Sequence, residues 1–374
     1  MNILIIGNGF DIAHNLPTKY TDFLNFLTVF REARITGGEM FFNTSNENWN
    51  KLDDEIKNLL DSSTKCQMIW KTPIEELHNL SNNNIWYNYF ISVISNGNVG
   101  ENWIDFETEI SRMIKILHEI KNGNKPSKDI QVINNFLFSI DTDLKIDRLI
   151  SFPEKCSIVS DALEKDLNKF IRCFEIYITE FIEKIPTSMI SPDIEDLQLG
   201  DGDGVLSFNY TDTYGKLYTQ DDYPDVDFIH GKACVGTDIH TNNMVLGIDE
   251  YLIGEEKNED ISFISFKKYF QRIHKQTGCN YKDWLQFMKA QYDGGNHNLN
   301  KVYIFGHSLD ITDKDILNEI INSKYVITTI YYHDEETHRK QIANMVRILE
   351  QDNLISKVYS SSPKIIFTQQ RKME

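Results

Sequence analysis

The sequence is short of positive charge. Its 38 Lys and Arg stand against 56 Asp and Glu, a formal net charge of −18 over 374 residues. That deficit argues against a direct nucleic-acid-binding surface, which needs clustered cations. It still allows a small anionic ligand in a local positive pocket. The five cysteines, Cys66, Cys156, Cys173, Cys234 and Cys279, are scattered and form no CxxC pair. They offer no zinc motif and suit a reducing cytosol, so a cytoplasmic location is expected. No apolar run reaches transmembrane length, and Met1 opens onto an apolar strand pattern with no basic leader; neither a membrane association nor a signal peptide is expected. Internal repeats are missing. So are HxD and HExxH metal motifs and a completed GxGxxG, because Ile12 holds the place of the last glycine.

What is present is the composition of a soluble globular chain, 41% hydrophobic and 25% charged. The first stretch is the most informative. Asn2 to Ile6 is a continuous apolar run, as in a strand buried on both faces. Gly7-Asn8-Gly9 follows at once, then a first helical turn over Phe10 to His14. Beyond Pro17 a helix is expected from Thr18, with Phe23, Phe26 and Leu27 at helical spacing. A strand, a glycine turn and a helix start in that order make a seat for a diphosphate.

Thr36 to Asn50 reads as a loop, and the chain then looks mostly helical to about Ile185. The spacing predicts helices over 52–60, from Pro73, over 84–94, 103–120 and 158–185; residues 121–127 read as a polar loop and 139–154 as ambiguous. The aromatic residues Trp86 to Phe90 read as core. Near Leu197 the pattern changes to strands and loops. Strands are expected at 205–209, 226–229, 244–248, 302–305, 325–332 and 364–368, with helices at 313–321, N-capped by Thr312, and 335–349. Alternating strands and helices predict an α/β fold, a doubly wound and mostly parallel sheet with a large helical insertion. The expected division is a core of residues 1–42 and 197–374 around an insertion of 43–196.

In such sheets ligands bind beyond the C-terminal strand ends. Gly7-Asn8-Gly9, Asn209, His230-Gly231 and Gly306-His307-Ser308 all fall there. Asn209 suits a ribose hydroxyl or a water; its plain role is a turn after a strand. His230 suits general acid–base work, since imidazole titrates near neutrality, with a buried structural His as the alternative. Ser308 and the backbone after Gly306 suit phosphate or ribose, and His307 is a ligand contact or a structural donor. Asp11 and Asp313 either cap helices or face the ligand, and His14 reads as structural. Trp103-Asp105-Glu107 reads as a helix start, where acids suit the dipole. Lys267, Lys268 and Arg272 read as a solvated helix face, with neutralisation of a diphosphate as the alternative.

GNGFD and LPTKY at the start, FNYT and HG in the middle and GHSL near the end together resemble the AbiH family of bacterial abortive-infection proteins, which act in phage defence. The resemblance covers residues 1–27 and 203–335 and adds little in the helical block beyond Trp103 to Glu107. That pattern in turn is similar to a divergent sirtuin-like domain: a GAG-type loop, an Asn after a strand, a His in an HG pair and a G-x-S loop, in that order. The resemblance implies a Rossmann/sirtuin-like sheet that binds NAD as a substrate and hydrolyses it to nicotinamide and ADP-ribose. Asn209 and His230 would be catalytic, and Gly7, Asn8, Gly9, Phe10, Asp11, Gly306, His307, Ser308 and Asp313 would bind the nucleotide. The four-cysteine zinc module of the deacylase sirtuins is missing, which disfavours deacylation. Two other classes stay open. One is a metal-dependent phosphoesterase or nuclease built on Asp11, His14, His230, His307 and Asp313. The other is a non-catalytic nucleotide sensor whose helical block contacts a phage trigger or a second copy of the chain as a homo-oligomer.

Overall fold

The computed structural model describes residues 1–36, 39–64, 73–95, 104–124, 130–140, 152–219, 224–295 and 297–373. Six strands form one parallel sheet: β1 (Asn2–Ile6), β2 (Gly204–Ser207), β3 (Asp225–Phe228), β4 (Asn300–Phe305), β5 (Val326–Tyr332) and β6 (Ile365–Gln369). Their spatial order is β3-β2-β1-β4-β5-β6, and every neighbouring pair runs parallel. This is the strand order of doubly wound dinucleotide-binding sheets, with the reversal of winding between β1 and β4. The α/β expectation therefore holds.

The side-chain period of two explains why β1 reads as an unbroken apolar run. Ile3 and Ile5 enter one core cluster with Val302, Ile304, Trp284, Met288, Leu317 and Ile348. Leu4 and Ile6 enter another with Phe10, Ile194, Val205 and Tyr214. Both faces are apolar because both are covered. The helix α1 (Asn8–Ala13) follows β1, α2 (Lys314–Ile321) follows β4, and α3 (Glu335–Leu349) follows β5. α3 matches its expected span. The helix expected from Asp313 starts one residue later, with Asp313 rather than Thr312 as its N-cap residue. Ahead of it, Asp310 caps a 3₁₀ turn by accepting from Thr312 N–H.

The chain divides into two compact units. The sheet unit comprises Met1–Leu16, Pro186–Lys232 and Gln276–Glu374; the helical unit comprises Pro17–Ile185 and Ala233–Lys275. Set against the expected insertion of 43–196, the helical unit takes in two further segments and leaves 186–196 to the sheet unit. Residues 17–42 join it because Phe23 and Phe26 pack on Phe170, Tyr177 and Phe181. Residues 233–275 join it because Lys268 pairs with Glu107 at 2.7 Å and Arg172 reaches Thr237.

Within the helical unit the core is aromatic. Phe106 stacks on Tyr20 at 4.2 Å and on Phe90 at 4.5 Å, and Phe170 meets Phe23, Phe90 and Phe106. Trp86 is fully buried, and its indole N–H donates to Leu163 O at 2.9 Å. The expected loop 36–50 instead begins in two short antiparallel strands, Arg34–Thr36 against Glu39–Phe41, and ends in a helical turn, Glu47–Asn50. Asp105 caps the helix Phe106–Lys121 through Glu107 N–H and Thr108 N–H. Trp103, Cys66 and most of 139–154 lie outside the described residues. The strand expected at 244–248 is absent: Ile248 forms a single bridge to Lys267, and Gly247 packs against Phe266 O. Apolar residues Met244, Val245 and Leu246 are buried there without joining a ladder.

Candidate functional site

The C-terminal ends of four adjacent strands, β3-β2-β1-β4, carry the polar residues singled out above. At the end of β3 the chain turns through His230-Gly231, with Gly231 at φ 77° and its N–H on Phe228 O. His230 is 3% exposed, and its Nε2 lies 3.0 Å from Asp313 Oδ1, at the start of α2. For the carboxylate to accept here Nε2 must carry a proton, and in the neutral tautomer that meets this condition Nδ1 holds the lone pair. The opposite oxygen of Asp313 lies 3.7 Å from Nε2 of His307. His307 Nδ1 accepts the Leu309 N–H at 2.9 Å, which places its proton on Nε2, facing Asp313. Phe208, just past β2, lies nearly at right angles to both imidazoles, 5.3 Å from His230 and 4.4 Å from His307. One buried carboxylate thus holds two imidazoles against an aromatic wall.

Asn209 is buried, and its Nδ2 donates to Gly7 O at 3.0 Å. Its own N–H donates to Ser207 Oγ. The side chain therefore ties the end of β2 to the turn after β1. Asn209 and His230 stand at neighbouring strand ends, as their order implies.

The glycine turns differ from the expected diphosphate seat. Gly9 N–H donates to Gly306 O at 2.8 Å, and Phe10 N–H donates to Gly7 O at 2.8 Å. A Cβ on Gly9 would lie 2.7 Å from Gly306 O, and one on Gly7 would lie 2.8 Å from the Cα of His307. Gly306 has φ 67°, and a Cβ there would overlap the Phe10 nitrogen. The glycines let two loops pack backbone to backbone at the switch point; of the amides that would hold phosphate, Gly9 N–H is committed to that contact and Phe10 N–H to Gly7 O within its own turn. The physical reason for the difference is that the space above Gly9 is filled by another part of the chain. Phe10 itself is buried in the sheet's core, ring to ring with Phe305 at 5.9 Å. Asn8 and Ser308 are exposed on the rim. Behind Ser308, its carbonyl accepts from Asn344 Nδ2, and the His307 carbonyl accepts from Gln341 Nε2.

Asp11 and His14 turn inward. Both carboxylate oxygens of Asp11 accept hydroxyls, from Thr211 at 2.7 Å and Thr213 at 2.6 Å. His14 lies between Phe10 O, 2.6 Å from Nδ1, and Tyr218 OH, 2.7 Å from Nε2; Ser191 N–H in turn donates to that hydroxyl. Burial holds His14 below its usual pKa and pushes Tyr218 up to about 12. A neutral imidazole completes this chain of donors. Asp11, His14, His230, His307 and Asp313 therefore do not assemble as one metal site; among the described residues the group with metal-ligand spacing is His118, Glu256 and Asp260, in the helical unit.

Lys267 and Lys268 are buried, not solvated: they pair with Glu250 at 2.9 Å and Glu107 at 2.7 Å. Their charges are neutralised within the helical unit. Sequence reasoning had no signal for Gln341 or Asn344, whose role is to hold a loop. Phe208, Thr211 and Thr213 lay in or beside the FNYT motif, where their residue types suit a wall and hydroxyl donors.

No curated protein matches the chain. The family profile described as "Bacteriophage abortive infection AbiH" matches residues 3–332, from the second residue of β1 to the last of β5. Its span takes in every strand end described above, and the chain belongs to the AbiH family, whose role is abortive infection against phage.

Proposed function

We propose that the sheet unit binds NAD across the ends of β1 to β4 and hydrolyses its nicotinamide–ribose bond, the step by which the protein would act in phage defence. The observation that carries this reading is the His230–Asp313 pair beside Asn209 at the switch end of the sheet. Cleavage passes through an oxocarbenium-like state. Nicotinamide leaves as a neutral ring, water adds to the ribose C1′, and one proton is released. His230 Nδ1 takes that proton from the attacking water. Asp313 fixes the ring's orientation and stabilises the imidazolium that results, the logic of a base held by a third group. Asn209 fixes a ribose hydroxyl or the water. Phe208 and the buried histidines keep the site dry, which strengthens each charge interaction. NAD is a cytosolic metabolite, so the reading places the protein in the cytoplasm.

The test is direct. Purified protein is incubated with NAD while nicotinamide release is followed, with NAD binding measured by calorimetry beside it. Release that is lost in His230→Ala supports the proposal. Binding without release in the wild type would move the chain to the nucleotide-sensor class. Neither binding nor release would overturn it.

A further inference from the structure

If the glycine turns do not supply the grip on a diphosphate, another group must. The turns that leave the sheet at β1 to β4, residues 7–16, 208–213, 229–232 and 306–313, contain a single Lys or Arg between them, Lys232. It follows the His230-Gly231 turn by one residue. Its Nζ donates to Asp212 Oδ2 at 2.6 Å and lies 5.2 Å from the centre of the Phe228 ring. Asp212 follows Thr211, whose hydroxyl is on Asp11. The side chains of Lys232 and Asp212 are 34% and 29% exposed, so water reaches the pair. Lys314, the next cation along, opens α2 and gives its Nζ to Arg347 O.

We propose that Lys232 is the specificity-determining residue of this site, the cation that receives the anionic diphosphate of the substrate, with Asp212 holding it in place until that anion arrives. The inference rests on the NAD reading above and names the group that recognises the substrate's charge. Three observations converge on it. The amides of Gly9 and Phe10 are already bonded within the chain. The chain as a whole carries −18 and repels an anion, so a local cation is needed at the point of entry. Finally, an ion pair open to water is weakly held, so exchanging the Asp212 carboxylate for a phosphate costs little. An ammonium on a four-carbon stem can follow the anion as a point charge.

The experiment uses the full chain and ADP-ribose as the charged probe, with nicotinamide riboside as a probe that lacks the diphosphate. Lys232→Met removes the charge and keeps the stem. It is expected to weaken ADP-ribose binding about tenfold or more, to flatten the salt dependence of that binding, and to leave nicotinamide riboside affinity unchanged. Lys232→Arg is expected to restore most of the loss, and thermal melts of both variants should overlay the wild type. Asp212→Asn, which removes the competing carboxylate, is expected to tighten ADP-ribose. A Lys232→Met protein that binds ADP-ribose as the wild type does overturns the inference and leaves the NAD reading standing. A wild-type protein that binds neither ADP-ribose nor NAD overturns both. Equal loss of both probes would mean that Lys232 shapes the turn and does not read charge, which also overturns it.

Discussion

The two units bury their polar groups in different ways. In the helical unit buried charge meets opposite charge. Arg172 lies between Glu175 at 2.6 Å and Glu76 at 2.8 Å, and Lys267 and Lys268 are matched by Glu250 and Glu107. At the strand ends of the sheet unit two buried acids meet other partners: Asp11 faces two threonine hydroxyls, and Asp313 faces two imidazoles, while the water-exposed Asp212 there keeps a lysine, Lys232. A carboxylate matched by a guanidinium has its charge fixed and serves the fold. A carboxylate matched by an imidazole leaves a proton that can be moved. On the proposed reading the comparison separates a unit that matches its charges for stability from a sheet end that keeps a movable proton, and it can be broken by showing that either does the other's work.

The largest expected effect is on chemistry. His230→Ala should lower turnover roughly 10²- to 10⁴-fold, the range for a general acid or base. Asp313→Asn should act in the same direction, and the double variant should lose little more than either single one, because the two act as a unit. Asn209→Ala is less clean, since Asn209 also holds Gly7 O; we expect it to cost turnover and in addition about 1 kcal/mol of stability. Full turnover in His230→Ala would place the chemistry elsewhere.

Next in size is the helical unit's ion pair. Burial opposes the charge on Arg172, but Glu76 and Glu175 outweigh it and hold the guanidinium firmly protonated. Glu175 is fully buried. Arg172→Met would leave it without its cation, which should cost roughly 3–5 kcal/mol by urea unfolding. Adding Glu175→Gln should recover part of that loss. Nucleotide affinity measured on the folded fraction should not change. If affinity falls while stability holds, the division between the units is wrong.

The backbone contact between the glycine loops comes third. Gly306→Ala adds a Cβ where the Phe10 nitrogen sits and forces Ala to φ 67°. Left-handed backbone costs roughly 1–2 kcal/mol for a non-glycine residue, and overpacking adds roughly 1–3 kcal/mol. Gly9→Val should be at least as damaging. The melting curve should therefore shift before any loss of binding can be attributed to a blocked ligand. A near-normal melt with abolished binding would restore the diphosphate seat.

These contacts mark the limit of what the sequence discloses. β1 and α3 were legible to the residue, because a strand covered on both faces is an unbroken apolar run and an amphipathic helix repeats at 3.6 residues. The four strand ends were legible for the same reason: each polar motif directly follows such a run. Met244 to Ile248 shows where the rule fails, since an apolar run reports burial and not a partner strand. The pairing of His230 with Asp313, of Lys268 with Glu107 and of Gly9 with Gly306 joins residues far apart in the chain. Local periodicity carries no trace of such pairs. Lys267 and Lys268 looked solvated because their carboxylates lie elsewhere in the sequence, and Gly7-Asn8-Gly9 looked open because the loop that fills it comes from beyond β4.

The smallest effect sharpens the comparison by pH. In the helical unit, burial alone would raise the pKa of Asp260, but Lys121 at 2.6 Å and the hydroxyl and N–H of Ser262 hold it down at about 2. A carboxylate whose pKa is lower folded than unfolded adds stability above the unfolded value, near 4, and loses it as pH falls through the folded value. The full shift corresponds to about 2 kcal/mol; both side chains reach water, so about 1 kcal/mol is the realistic contribution. His118 Nδ1 lies 3.4 Å from the same carboxylate, so the measurement belongs in a His118→Gln background, where no imidazolium can stand in for the lysine. There, Lys121→Met should cost about 1 kcal/mol at pH 7 and about half of that at pH 3, by urea unfolding with unchanged slope. A loss that is the same at both pH values would mean that the lysine contributes its stem and not its charge. The Lys121–Asp260 pair would then be a packing device, and the helical unit's contrast with the sheet end would rest on the more deeply buried Arg172, Lys267 and Lys268.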